Sequence, residues 1–276
     1  MTSHSYLQKV PDHAKSYEYY FSSGYYDARY PSPNPNVLRK VLEYAKSSES
    51  TIIDFGCGSG RYALPLAGHR RHVVCFDIST QARDRLRENV TSAHLGDYVE
   101  ILGGREADLQ SYRDRKGTAE VLVALFGVLA HVEARDTRVR LLRWFQDLVV
   151  PEHGRIIVSV PNKRRRFRKN QKHQSTDNGE IVYTRNYKNR NMQFFYKLYD
   201  AHELRQEIEA AGLIVEEMRA ESLLPESWIA NSPALRLLER ITVPWLPTTF
   251  GYGLLAVART PARKSEAQEA PMRKIA

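Results

Sequence analysis

Cysteine is scarce in these 276 residues: there are two, Cys57 and Cys75. One pair cannot make the disulfide framework of a small secreted scaffold, and Cys and His are too thinly spread for a zinc site, so no metal is expected. Long apolar runs are also missing. No stretch of about 18 apolar residues occurs, so no transmembrane helix is expected. The opening MTSHSYLQKVPDHAKSYEYY has no apolar core of a signal peptide. A reducing, cytoplasmic setting is the expectation. What remains is ordinary for a globular chain, with 42% hydrophobic and 26% charged residues. A chain of this length buries roughly three quarters of its unfolded surface and needs no covalent staple.

Acidic residues are nearly absent from one segment. Between Lys163 and Arg190 ten basic residues (Lys163, Arg164, Arg165, Arg166, Arg168, Lys169, Lys172, Arg185, Lys188, Arg190) face only Asp177 and Glu180. That window holds all but about one unit of the net charge of +9. It suits anions such as phosphate-bearing substrates, RNA or an acidic membrane surface, or it is simply a solvated loop.

Residues 1–15 read as mobile. Residues 17–30 carry Tyr17, Tyr19, Tyr20, Tyr25, Tyr26 and Tyr30, and PSPNPN (31–36) reads as a turn-rich connector. Together, 1–36 form an aromatic N-terminal segment. A helical stripe follows over 37–46. Short apolar strands are then expected at 51–56, 72–77, 98–102, 120–126 and 154–160. Helices are expected at 61–69, 80–90 (capped by Ser79) and 135–149. Strands apolar on both faces, separated by helices, imply a parallel sheet covered on both sides. The basic insertion, 162–198, interrupts the alternation. A helix at 201–212 closed by Gly212, a strand at 213–218, an excursion at 223–250 and a strand at 252–260 complete the domain. The tail, 261–276, lacks periodicity and reads as disordered.

The informative unit is Ile52-Ile53-Asp54-Phe55-Gly56-Cys57-Gly58-Ser59-Gly60, which leaves a strand and opens a helix. Its glycines admit a ligand close to the backbone. Asp77, nineteen residues after Gly58 at the end of the second strand, suits a ribose diol. Asp54 beside the loop would repel a pyrophosphate and suits a cationic ligand without phosphate. S-adenosylmethionine is such a ligand.

The pattern resembles the class I S-adenosylmethionine-dependent methyltransferases over roughly residues 37–260. DFGCGSG matches their D-x-G-x-G-x-G motif. Asp77 matches their acid after strand 2, Asp108 with Leu109 their acid and apolar neighbour at the adenine, LFGVLAHV (125–132) their segment after strand 4, and PEHGR (151–155), loosely, the turn before strand 5. The resemblance implies a Rossmann-like α/β fold. Its seven-stranded, mostly parallel sheet has order 3-2-1-4-5-7-6 with the last strand antiparallel, and helices cover both faces. It also implies S-adenosylmethionine as cofactor, with Asp54, Gly56, Cys57, Gly58, Gly60, Asp77, Ile78, Asp108, Leu109 and Phe126 around it. The carboxylates at 54, 77 and 108 are expected to converge on one adenosyl group.

Methyl transfer from a sulfonium chiefly needs alignment and exclusion of water, and a base only where the acceptor must lose a proton. His131, just after strand 4, is the candidate base; capping the next helix is the bland alternative. Tyr25, Tyr26 and Arg29 are candidate lid residues, and Phe194, Phe195, Tyr196 and Tyr199 candidates for the acceptor pocket, with core packing as the alternative. No [D/N/S]-P-P-[Y/F/W] tetrapeptide, no cysteine near strands 4 and 5 and no acidic trio occur. This disfavours exocyclic-amine methylation of DNA adenine or protein glutamine, covalent pyrimidine-C5 methylation and magnesium-dependent catechol chemistry.

Two acceptors stay open. One is a small molecule methylated on O or N, covered by the insertion. The other is RNA, held by the basic segment and stacked on Phe167, Tyr183 and Tyr187. RYPSPNPNVL and CFDIS loosely resemble enzymes acting on a modified wobble uridine of tRNA, although only His131 stands where paired histidines would be expected. A cofactor-binding sensor without catalysis is the non-enzymatic reading. Oligomeric state is left open.

Overall fold

In the computed structural model, residues 11–174 and 178–262 are described, with side chains from Lys15 onward. The expected mobile residues 1–10 and most of the expected tail, 263–276, lie outside the described residues. The start of the chain differs from expectation, because a helix, α1 (Pro11–Ser22), begins at Pro11. A short α2 (Tyr25–Arg29) follows. The next helix, α3 (Pro35–Tyr44), begins two residues earlier than expected. Asn34 caps it by accepting from the amides of Asn36 and Val37, and Pro35 occupies the first turn, where its missing N–H costs nothing.

The alternating region runs β1 (Thr51–Phe55), α4 (Ala63–Gly68), β2 (His72–Phe76), α5 (Thr80–Ser92), β3 (Val99–Ile101), α6 (Glu106–Lys116), β4 (Val121–Ala124), α7 (Arg135–Gln146) and β5 (Arg155–Pro161). Ser79 caps α5, its Oγ accepting the Ala82 amide at 3.1 Å. The basic insertion is a short α8 (Arg168–Gln174) and an antiparallel hairpin, β6 (Glu180–Tyr187) and β7 (Arg190–Lys197). Then come α9 (Ala201–Ala210), β8 (Ile214–Ser222), α10 (Glu226–Asn231), α11 (Pro233–Thr242) and β9 (Gly253–Arg259). Gly212 ends α9 at φ +86°.

The sheet order is β3-β2-β1-β4-β5-β9-β8, with β9 antiparallel to both neighbours. With the hairpin set aside, this is the expected 3-2-1-4-5-7-6. Alternation along each strand divides the core. Ile53, Phe55, Val74, Phe76, Leu122 and Val158 face a cluster that includes Leu109 of α6, Leu142 and Phe145 of α7 and Ile208 of α9. Ile52, Val73, Cys75, Val121 and Ile157 face Val37 and Val41 of α3, Leu66 of α4 and Leu86 of α5. Both faces are covered, which is why the strands read as continuous apolar runs. The aromatic residues of α1, α2 and the hairpin join the first cluster. They therefore cover the carboxyl edge of the parallel strands, where open α/β sheets take ligands.

Candidate functional site

The loop after β1 is tied to the end of β2. The Gly56 and Cys57 amides donate to the Phe76 carbonyl at 2.7 and 3.1 Å, and the Gly58 amide donates to Asp77 Oδ2 at 2.9 Å. The other Asp77 oxygen accepts the Ser79 amide at 2.8 Å. Burial raises the Asp77 carboxyl above the usual range, opposed by these two amide bonds. Because Gly58 N–H is committed to a carboxylate, the loop does not offer the free amide nest that a pyrophosphate needs. Gly58 adopts φ +56°, and a Cβ there would sit 3.1 Å from Phe21 of α1.

Above the loop lies a cavity of about 370 Å³. Four parts of the chain wall it: the β1 and β2 ends (Gly56, Gly58, Asp77, Ile78), the segment after β4 (Phe126, His131, Glu133), helices α1 and α2 (Tyr17, Tyr20, Phe21, Tyr26), and the insertion (Arg166, Tyr183, Arg185, Phe194, Tyr196). Gly127, at φ +84°, makes room for the insertion: a Cβ there would clash with the Tyr196 hydroxyl. His131 stacks on Tyr196 with ring centroids 4.5 Å apart, and its Nδ1 lies 2.9 Å from the Phe195 carbonyl. A carbonyl only accepts, so Nδ1 carries the hydrogen, and in the neutral ring Nε2 is the proton-accepting nitrogen.

Of the residues expected at the cofactor, Gly56, Gly58, Asp77, Ile78 and Phe126 line this cavity. Asp54 is 3% exposed beneath the loop; burial, then the nearby Asp77 charge, push its carboxyl up to about 7. Cys57 is buried, its thiol pushed up chiefly by burial, and Gly60 faces the core, where a Cβ would meet Leu86 at 2.6 Å.

Of the three carboxylates expected to converge, Asp77 lines the cavity and Asp54 and Asp108 do not. Asp108 is the third residue of α6 and closes a capping box, accepting the Arg105 amide at 3.0 Å and its guanidinium at 2.9 Å. Those bonds hold its carboxyl below the usual range, and it does not line the cavity. Leu109 points into the core at 0% exposure.

On the acceptor side, Tyr26 and Tyr196 line the cavity as expected. Tyr25 instead packs on Tyr187, centroids 4.6 Å apart, and Arg29 rims a second cavity. Tyr199 lies elsewhere: fully buried, it donates to Glu207, which binds Arg138 in a buried pair. Phe194 lines the cavity, and Phe195 contributes its carbonyl to His131.

Sequence reasoning missed Phe21 and the inward turn of Arg166 and Arg185. Tyr17, Tyr20 and Phe21, at i, i+3 and i+4, were a legible signal, since they mark one face of a helix. It also missed Glu18, which accepts the Ser79 hydroxyl and the Thr80 and Gln81 amides at 3.0, 3.1 and 3.0 Å, capping α5 from outside. Among the described residues no helix is long and apolar enough to cross a membrane.

Comparison with known proteins agrees with this architecture. Residues 26–218, more than half of the chain, match the family described as "Methyltransferase domain". The chain is 27% identical over 74 residues to a probable cobalt-precorrin-6B C(15)-methyltransferase (decarboxylating) of Methanobrevibacter smithii, covering 26% of this chain and 40% of that protein. It is 27% identical over 78 residues to a tRNA/tmRNA (uracil-C(5))-methyltransferase of Nitratiruptor, covering 27% of this chain and 22% of that one. The chain thus spans two fifths or less of the length of these curated relatives. A solved S-adenosylmethionine-dependent methyltransferase from Methanosarcina mazei superposes with a TM-score of 0.59 at 16% identity, over 84% of this chain and 99% of that one. The chain therefore belongs to the methyltransferase-domain family, and it shares the fold of a solved S-adenosylmethionine-dependent methyltransferase.

Proposed function

We propose that the protein transfers a methyl group to an oxygen or nitrogen of a small-molecule acceptor held in the aromatic cavity above the glycine loop. The observation that carries this reading is the wall of that cavity. Four separate parts of the chain close around about 370 Å³, within the range of small-ligand sites. S-adenosylmethionine, when bound, supplies the activated methyl group.

The residues present fit that cofactor. Asp77 is the acid for the ribose hydroxyls, Gly56 and Gly58 leave the backbone open to close approach, and Ile78 and Phe126 flank the adenosyl group. The rings around them suit a sulfonium. Asp54 lies buried at the end of β1, below the loop. Tyr26 and Tyr196 bound the acceptor, and His131 takes the proton from an acceptor that must lose one, with Nδ1 held by Phe195. The two buried free thiols suit a reducing, cytoplasmic setting.

RNA is the second reading, favoured by the exposed Arg164, Arg165, Arg168, Lys169 and Lys172. Against it, the interleaved rings are engaged in packing. Tyr183 stacks on Phe194 with centroids 5.3 Å apart, and Phe167 packs on Tyr183 at 4.8 Å. Tyr183 is a buried wall of the cavity, open to a small ligand inside it and not to the bases of a polynucleotide outside.

The test is methyl transfer from tritiated S-adenosylmethionine into a metabolite extract and into total RNA. Label in the fraction that passes an ultrafilter supports the small-molecule reading. Label that precipitates with RNA, and binding that weakens steeply between low and moderate salt, would replace it with the second.

A further inference from the structure

The cavity has charges of opposite sign contributed by different parts of the chain. Asp77 and Glu133 belong to the sheet edge and the segment after β4; Arg166 and Arg185 belong to the insertion. The Nε atoms of both arginines are buried and have no hydrogen-bond partner. Among the described residues neither side chain forms an ion pair. Each guanidinium lies over aromatic rings instead: Arg166 over Tyr196 and Tyr252, at 5.5 and 5.1 Å, and Arg185 over Tyr183, at 5.3 Å.

The acids near them do not fully supply the missing charge. Glu226 is engaged by Arg61 at 2.6 Å. Burial and Glu226 push the Glu221 carboxyl well above the usual range, opposed in part by Arg166, so it offers Arg166 a weakened counter-charge. Half-buried guanidiniums, each with a buried and unpartnered Nε and no ion pair, are costly, and a ligand anion is the partner that would offset them.

The same two arginines, with Tyr30 and Tyr183, also wall a second cavity of about 420 Å³, which Arg29 and the exposed Trp228 line on another side. The shared wall between the two cavities is therefore cationic.

We propose that Arg166 and Arg185 form an anion subsite, so that the methyl acceptor carries a carboxylate or a phosphate attached to an apolar, flat body packed against Tyr183 and Tyr196. This deepens the proposed function and rests on it. The cationic cofactor takes the Asp77 side, and the acceptor's anion takes the insertion side.

The test uses the full chain saturated with S-adenosylhomocysteine, titrated calorimetrically with benzoate, phenyl phosphate and benzyl alcohol. Benzoate or phenyl phosphate should bind at least tenfold more tightly than the neutral alcohol, and whichever is tighter identifies the anion. Arg166→Gln and Arg185→Gln should each weaken the preferred anion about tenfold or more while leaving S-adenosylhomocysteine affinity unchanged; Arg166→Lys should recover part of the loss. Equal affinity for the three probes in the wild type, with S-adenosylhomocysteine still bound, overturns the anion subsite and leaves the methyltransferase reading standing. Anion preference that survives both Gln variants overturns the assignment to these arginines. Failure of the wild type to bind S-adenosylhomocysteine overturns the underlying reading and the subsite with it.

Discussion

Gly58 donates its amide hydrogen to the carboxylate of Asp77 across 2.9 Å, which ties the glycine loop to the end of β2. Removing the charge at Asp77 should loosen the loop and delete the ribose contact together. Asp77→Asn should weaken S-adenosylhomocysteine binding by about 1.5–3 kcal/mol, the worth of a hydrogen bond to a charged group. Isothermal calorimetry reads this directly, and unchanged affinity would remove Asp77 from the site.

Gly58→Val tests the same unit from the other side. The new side chain would press on Phe21 and force a β-branched residue to φ +56°. Strain of this kind costs about 1–3 kcal/mol. The expected outcome is a lower melting temperature and loss of measurable S-adenosylhomocysteine binding. A variant that binds normally would show that the loop is not approached by the ligand.

His131→Asn separates chemistry from binding. If the ring takes a proton from the acceptor, turnover should fall about 10²–10⁴-fold while S-adenosylhomocysteine affinity is kept. Retention of full turnover would assign His131 to packing against Tyr196.

Glu18 closes the N-terminal helix onto the domain by capping α5. Glu18→Ala should release α1, seen as faster amide exchange over residues 11–22, and should weaken cofactor binding because Phe21 and Tyr17 leave the cavity wall. Unaltered exchange would show that aromatic packing alone holds the helix.

Stability should depend on pH through two buried carboxyls. Burial pushes the Asp54 carboxyl up to about 7 and, with the Glu226 charge, holds Glu221 well above its ordinary range. The folded chain therefore binds protons more tightly than the unfolded one. Their contribution is fully present below the ordinary carboxyl range, declines as pH rises through it, and is lost once pH passes the raised values. Melting temperature across pH 4 to 9 should fall over this span, and Glu221→Gln should flatten part of the fall. An identical slope in the variant would show that Glu221 does not titrate there.

The sheet was legible in the sequence because each strand is a short β-branched run bounded by turn residues, and because Asp77 stands the right distance beyond Gly58. The carboxyl edge of the parallel strands, where the cavity lies, followed from strand order. Other parts were not legible. Asp108 read as a ligand because its spacing after β3 is right, but its place in the first turn of α6 lets it cap that helix through Arg105. Tyr199 read as pocket lining because it follows alternating rings, yet the chain has left β7 by then and the hydroxyl meets Glu207. The helix α1 was signalled by Tyr17, Tyr20 and Phe21 at i, i+3 and i+4, but its first turn falls in residues 11–15, which read as mobile, and the tyrosines read as a cluster and not as a stripe. Arg166 and Arg185 looked like part of a solvated basic run; only tertiary packing turns them inward while Arg164 and Arg168 stay outside.

The central claim is that the ribose of the cofactor lies on Asp77 above the Gly56–Gly58 turn. A crystal structure of the full chain with S-adenosylhomocysteine tests it most directly. The ribose hydroxyls should lie within hydrogen-bond distance of the Asp77 carboxylate, and the homocysteine sulfur should face the cavity walled by His131 and Tyr196. Ligand density lodged elsewhere, or a ribose with no contact to Asp77, would contradict the account.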